Sequence, residues 1–127
     1  LVRVPLAKRG ESTRIEYRSP DPACNPYLAF ACVLAAGLKG IEEGYELPAE
    51  SATNLYEMTN EERAAEGIKS LPGSLAEAVD LMEASELVAE TLGEHVFEWF
   101  LRNKRDEFLA YKSTVSQFEL DRYLPRL

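Results

Sequence analysis

The feature that most constrains this chain is an apolar run behind a strong helix start. Asn25-Pro26 opens it, with asparagine suited to the N-cap and proline to the first helical position. Tyr27-Leu28-Ala29-Phe30-Ala31-Cys32-Val33-Leu34-Ala35-Ala36 follow, and Gly37-Leu38-Lys39 close it. The spacing predicts a helix over 26–39 that is apolar almost all round, and such a helix has to be buried. It is too short, and too interrupted by Gly37 and Lys39, to cross a bilayer. Its cover is either the strand that precedes it or neighbouring helices outside this piece. In the second case the chain alone leaves apolar surface bare.

Upstream, residues 1–6 read as a strand with Pro5 near its end, 7–12 as a polar turn, and 13–18 as a second strand. Ser19-Pro20-Asp21-Pro22 stops the second strand, because each proline removes a donor and restricts its predecessor. Within that strand Arg14-Ile15-Glu16-Tyr17-Arg18 alternates charged and apolar residues. Side chains of a strand point alternately to opposite faces, so Arg14, Glu16 and Arg18 share one face and Ile15 and Tyr17 the other. Guanidiniums on both sides keep a carboxylate ionised, and an ionised carboxylate suits a hard divalent cation such as Mg²⁺. The planar fork of arginine matches phosphate and carboxylate oxygens. The same row reads equally as an exposed ion-pair ladder of little energetic consequence.

Glu42 to Asn54 is irregular, with Gly44 and Pro48. Thr59 with Glu62, Ser74 with Glu77, and Ser116 with Glu119 have the spacing of capping boxes and mark three helix starts. Leu71-Pro72-Gly73 separates the first two. Residues 85–92 form a short helix closed by Gly93, and 94–114 a long one with Phe97, Phe100, Leu101, Phe108 and Tyr111 on one side. The charged run 102–107 is a solvated face or a helix–helix contact. Little in the sequence suggests two domains.

The 127 residues are enough for one small domain with a core, and 46% hydrophobic with 28% charged residues is ordinary for a globular protein. A net charge of −8 argues against a general nucleic-acid or anionic-membrane binder, while leaving room for a nucleotide at a local arginine cluster. Cys24 and Cys32 make no metal pattern or disulfide framework and read as reduced thiols of a cytoplasmic protein. His95 has no partner pattern and reads as structural or surface. The opening Leu1-Val2-Arg3-Val4, without a leader, looks like mid-strand, which suggests a piece of a longer protein.

The blocks Arg14-Ile15-Glu16-Tyr17-Arg18-Ser19-Pro20-Asp21-Pro22 and Asn25-Pro26-Tyr27-Leu28-Ala29-Phe30-Ala31 closely resemble the C-terminal part of the catalytic domain of type I glutamine synthetase. Arg3-Val4-Pro5, Ala35 to Ile41, Asn54-Leu55-Tyr56-Glu57-Met58 and Glu119-Leu120-Asp121-Arg122-Tyr123 extend the resemblance over nearly the whole chain. It implies an α+β fold for 1–127: a short N-terminal β-strand pair followed by mostly α-helices, with the upstream part of the catalytic domain absent.

The activity implied is ligation of ammonia to L-glutamate at the expense of ATP, through γ-glutamyl phosphate, in the cytoplasm. Relatives that join glutamate to another amine share the ATP and glutamate apparatus, and a purely helical assembly module is the non-enzymatic alternative. By resemblance, Glu16 is a ligand for Mg²⁺ or Mn²⁺ on the nucleotide side. Arg18 is the catalytic residue that contacts glutamate and the transferring phosphoryl group. Arg3 and Arg14 contact ATP phosphates. The turn around Lys8 departs from forms that place a nucleotide-contacting lysine there, and Lys8 receives no role. Tyr56 matches a position that some members adenylylate, against the plain alternative of a loop tyrosine. The family assembles as a homododecamer of two hexameric rings. Phe118 to Leu127 matches the tail that docks on the opposite ring, or else a helix folded back on its own core. No nucleic acid and no membrane is implied as a partner. With the other metal ligands upstream, the piece alone is expected to be inactive.

Overall fold

The computed structural model describes residues 2–5, 14–50 and 54–126. Strands β1 (Val2–Arg3) and β2 (Glu16–Tyr17) pair antiparallel, with Val2 opposite Tyr17 and Arg3 opposite Glu16. Each is far shorter than the run read from the sequence. Pro5 has no N–H to extend the ladder, and the expected turn at 7–12, with Lys8, lies outside the described residues. Val2, Val4, Ile15 and Tyr17 are all exposed, so the pair is a bare ribbon among the described residues.

Helix α1 (Pro26–Glu42) starts where Asn25-Pro26 demands. Asn25 Oδ1 accepts from the backbone N–H of Tyr27 at 3.0 Å and of Leu28 at 3.4 Å. The helix outruns its expected end at Lys39 because Gly44, at φ +65°, provides the left-handed residue that closes it. The N–H of Tyr45 returns to the carbonyl of Gly40 at 2.9 Å and that of Gly44 to Ile41 at 3.3 Å, the double bond of a Schellman cap. The Tyr45 ring also lies over Gly40. No residue of α1 is buried, and Tyr27, Phe30, Leu34, Leu38 and Ile41 are exposed. The expectation that α1 backs the strand carrying Glu16 is not met: among the described residues it packs on neither strand. Being apolar all round tells a helix to be covered, without saying by what.

The chain groups into two compact units, Leu1–Leu71 and Pro72–Leu127, divided at the Leu71-Pro72-Gly73 breaker. The first also holds α2 (Asn60–Ala65), whose Thr59–Glu62 capping box is complete. In the second, α3 (Leu75–Glu83) packs on α4 (Glu86–Lys112) and buries Val79 and Leu101, the buried residues among those described. Arg105 from the charged run reaches across to Glu83, while Arg102, Asp106 and Glu107 are exposed, so the run is a solvated face with one ion pair to α3. Ser74 caps α3 as expected, but Glu77 Oε2 turns to the N–H of Gly73 at 2.8 Å instead of completing the box. Helix α5 (Gln117–Tyr123) has a complete Ser116–Glu119 box and runs into a single 3-10 turn, Leu124–Arg126. Among the described residues it touches only that turn, and Phe118, Leu120, Tyr123 and Leu124 remain exposed, so the tail is not folded back on a core.

Within α4 the expected break falls at Gly93, with φ 71° and ψ 156°. That backbone region is open to glycine almost alone. A Cβ there would meet nothing within 4 Å, so the cost of substitution is strain and not collision. Gly93→Ala is expected to destabilise by about 1–3 kcal/mol, read as a lower thermal unfolding temperature. An unchanged melting temperature would mean that the break is not maintained in solution.

Candidate functional site

The period of the strand puts Arg14, Glu16 and Arg18 on one face, and the antiparallel register adds a fourth residue from across the ribbon. Arg14 Nη2 donates to Glu16 Oε1 at 3.0 Å. Arg18 Nη2 donates to Glu16 Oε2 at 2.9 Å, and Arg3 Nη1 reaches the same oxygen at 3.3 Å. Three guanidiniums thus converge on one carboxylate, a local charge of +2 inside an acidic chain. The three arginine side chains are 53–56% exposed, whereas that of Glu16 is 23% exposed.

Sequence reasoning found the row of three from its alternation. It placed Arg3 only by resemblance and missed its pairing with Glu16. That pairing depends on the register of the two strands, and no residue pattern within them fixes it.

The arginines hold the Glu16 carboxyl below the usual carboxylate range. The hydrogen bond from Arg18 is the largest cause, opposed by partial burial and helped by the bond from Arg14 and the charges of Arg3 and Arg18. A carboxylate whose pKa is depressed by folding stabilises the fold fully above its unfolded value, and the contribution fades as pH falls through the folded value. The Arg–Glu16 pairing is therefore expected to persist at pH 4.5, the ordinary value, and to fail only in more acid solution. Carbon-13 NMR of glutamate-labelled chain should give Glu16 a midpoint below 4.5 that rises in Arg18→Gln; a midpoint at or above 4.5 would contradict the pairing.

Whether these residues suit a divalent cation is a question of donors. No group of three histidine, cysteine or acidic side chains able to hold a metal occurs among the described residues. Glu16 stands alone, but an ionised carboxylate accepts at about four positions, and three guanidinium bonds leave Oε1 the less used oxygen. Mg²⁺ is commonly bound through one or two carboxylates with phosphate oxygens and water completing its shell. The described residues alone do not make a metal site: Glu16 can offer one oxygen, and three guanidiniums already bond its carboxylate.

Tyr56 takes no part in the cluster. It is 92% exposed in the turn before α2, where its N–H donates to Asn54 Oδ1 at 3.2 Å while Asn54 Nδ2 donates to Glu57 at 2.8 Å. Cys24 and Cys32 are both free thiols, and burial pushes the Cys32 thiol up, away from a reactive thiolate. His95 is exposed on α4.

The family model for the catalytic domain of glutamine synthetase matches residues 1–123. The chain belongs to the glutamine synthetase family. It is 56% identical over 126 residues to the glutamine synthetases of Mycobacterium tuberculosis and Mycobacterium bovis, an overlap of 98% of this chain and 28% of those proteins. The glutamine synthetase of Thermotoga maritima is 49% identical over 124 residues, with the same coverage. Among solved structures, a GmaS/ADP complex in its first conformation superimposes with a TM-score of 0.75 at 36% identity, covering 91% of this chain and 26% of its own. The chain thus spans 28% of the length of the glutamine synthetases it matches. The short antiparallel pair followed by helices is the α+β arrangement that the sequence implies for this part of the family.

Proposed function

We propose that residues 1–127 are the C-terminal portion of the catalytic domain of a glutamine synthetase, which ligates ammonia to L-glutamate with ATP and acts in the cytoplasm. The observation that carries this reading is the convergence of Arg3, Arg14 and Arg18 on Glu16. A merely decorative ion-pair ladder needs only neighbours along one strand; this cluster draws a third arginine from the opposite strand. Three arginines around a single carboxylate leave an excess of positive charge suited to a polyphosphate. That the solved relative is a complex with ADP supports a nucleotide as that ligand.

In this reading Arg3 and Arg14 hold ATP phosphates by charge-assisted hydrogen bonds. Arg18 holds glutamate and offers its fork to the phosphoryl group as negative charge spreads over its oxygens. The γ-carboxylate of glutamate attacks the γ-phosphorus, a new P–O bond forms, and the bond to ADP breaks. Ammonia then attacks the γ-carbonyl carbon, phosphate leaves with the C–O bonding electrons, and the nitrogen gives up one proton to the departing phosphate. Glu16, kept ionised by its neighbours, would supply one oxygen to a Mg²⁺ or Mn²⁺ ion. When bound, such an ion would neutralise phosphate charge. Tyr56, fully presented on its turn, is a candidate for adenylylation.

No group of three side chains able to hold a metal lies among the described residues, and the isolated chain is expected to be inactive. The bare apolar faces of α1 and α5 suit burial in a larger assembly, a homododecamer of two hexameric rings with the α5 tail docked on the opposite ring. No helix among the described residues is long and apolar enough to cross a membrane.

The test uses the full-length protein that contains this chain. Phosphate release from ATP plus glutamate is followed with ammonium and with other amines in turn. Release that depends on ammonium supports the proposal. Release that requires another amine would assign the protein to glutamate–amine ligation. No release from folded protein with any amine would leave an assembly role alone.

A further inference from the structure

Arg18 lies just past the end of its strand. The ladder pairs Glu16 and Tyr17 and stops there, one residue short of Arg18. The link that follows, Ser19 to Asn25, therefore has a large part in deciding where the Arg18 guanidinium can reach. That link is closely specified. Pro20 and Pro22 each fix one φ angle and restrict the residue before them. Asp21 opens a tight turn: its carbonyl accepts from the N–H of Cys24 at 3.0 Å, and its Oδ1 accepts from the N–H of Ala23 at 2.7 Å. Aspartate at the first position and proline at the second are residues that such a turn favours. Asn25 then holds the N–H groups of Tyr27 and Leu28, so the turn delivers the chain straight into α1.

We propose that Asp21 is a positioning residue for Arg18: its turn ties the end of β2 to the start of α1 and so sets where the Arg18 guanidinium meets glutamate and the transferring phosphoryl group. This rests on the ligase reading of Arg18 and adds a residue that acts without touching substrate. The physical reason is preorganisation. A donor to a developing anion works by being held in place beforehand, and a small misplacement of a reacting partner is costly in rate. The bond from Ala23 needs an oxygen acceptor on residue 21 but not a charge. Asparagine keeps that oxygen and alanine removes it, so the two substitutions separate a turn-forming role from a role of the carboxylate charge.

The experiment measures phosphate release by the full-length protein from ATP and glutamate, with the amine that the wild type uses. Asp21→Ala and Asp21→Asn are compared, each alone and combined with Arg18→Gln. Pro22→Ala loosens the same turn without altering Asp21, and the same cycle with Arg18→Gln carries the test should Asp21→Ala not fold; melting temperatures identify the folded variants. Asp21→Ala is expected to lower kcat/KM for glutamate about three- to tenfold, the scale of one lost hydrogen bond, and Pro22→Ala to lower it about twofold or more. Asp21→Asn should stay within about twofold of wild type, and KM for ATP should hold within about twofold in every turn variant. In the Arg18→Gln background, Asp21→Ala should cost less than about twofold, because residues that act through one group are not additive. Full additivity with Arg18→Gln would overturn the proposal. So would failure of asparagine to rescue, or a rise in KM for ATP that matches the loss for glutamate, which would mean that the whole ribbon had moved. A wild type that releases no phosphate with any amine would sink the ligase reading itself, whereas an active wild type with an additive double variant would sink this inference alone.

Discussion

Glu16→Gln in the full-length protein is expected to lower ammonium-dependent phosphate release on the order of 100-fold or more. The change is nearly isosteric and leaves one oxygen able to accept from Arg14 or Arg18, so the ribbon need not come apart. What it removes is the negative charge. An amide oxygen is a poor partner for a hard divalent ion, and no other metal-binding group of side chains occurs among the described residues to replace it. The loss should fall mainly on kcat, because charge neutralisation counts most as the phosphoryl group transfers. Steady-state phosphate release at saturating ATP, glutamate and ammonium is the measurement. A variant within about threefold of wild type would remove Glu16 from the metal site and return the cluster to an exposed ion-pair ladder.

The parts of this fold that are legible in the sequence are those encoded within a few residues. Asn25-Pro26 starts α1, Thr59 with Glu62 and Ser116 with Glu119 form complete boxes, and Gly93 breaks α4, each because one side chain or one φ angle suffices. Sequence and structure part where a second local bond competes. Lys39 looks like the end of α1, yet Gly44 and Tyr45 carry the helix on to a Schellman cap. Glu77 has the spacing to complete a box and instead bonds Gly73. Long-range placement is much less legible. The apolar run of α1 announces burial but has no cover among the described residues, since hydrophobicity is non-directional. In the site, Arg14, Glu16 and Arg18 follow from a period of two, whereas the pairing of Arg3 with Glu16 needs the register of a second strand.

Arg18 is where removing a single group is expected to act on binding and chemistry together. Its guanidinium makes the shortest bond to Glu16, and that bond is the largest reason the carboxyl stays charged. In the proposed reaction the same fork serves glutamate and the transferring phosphoryl group. Arg18→Gln should therefore reduce kcat/KM for glutamate about 10²- to 10³-fold, the usual loss when one preorganised donor to a developing anion is removed. Arg18→Lys separates charge from geometry. Lysine keeps the positive charge but presents a point instead of a planar two-pronged donor, so it should recover the charged state of Glu16 better than it recovers turnover. The expected pattern is a Glu16 carboxyl close to wild type in its titration, with kcat/KM still about tenfold or more below wild type. If lysine restores both, Arg18 acts only through the charge it lends to Glu16 and is a positioning residue. If it restores titration alone, the fork itself touches the reacting groups. Equal activity of wild type and Arg18→Gln would exclude both roles, because neither a lost anion donor nor an uncompensated change at Glu16 could then bear on the rate.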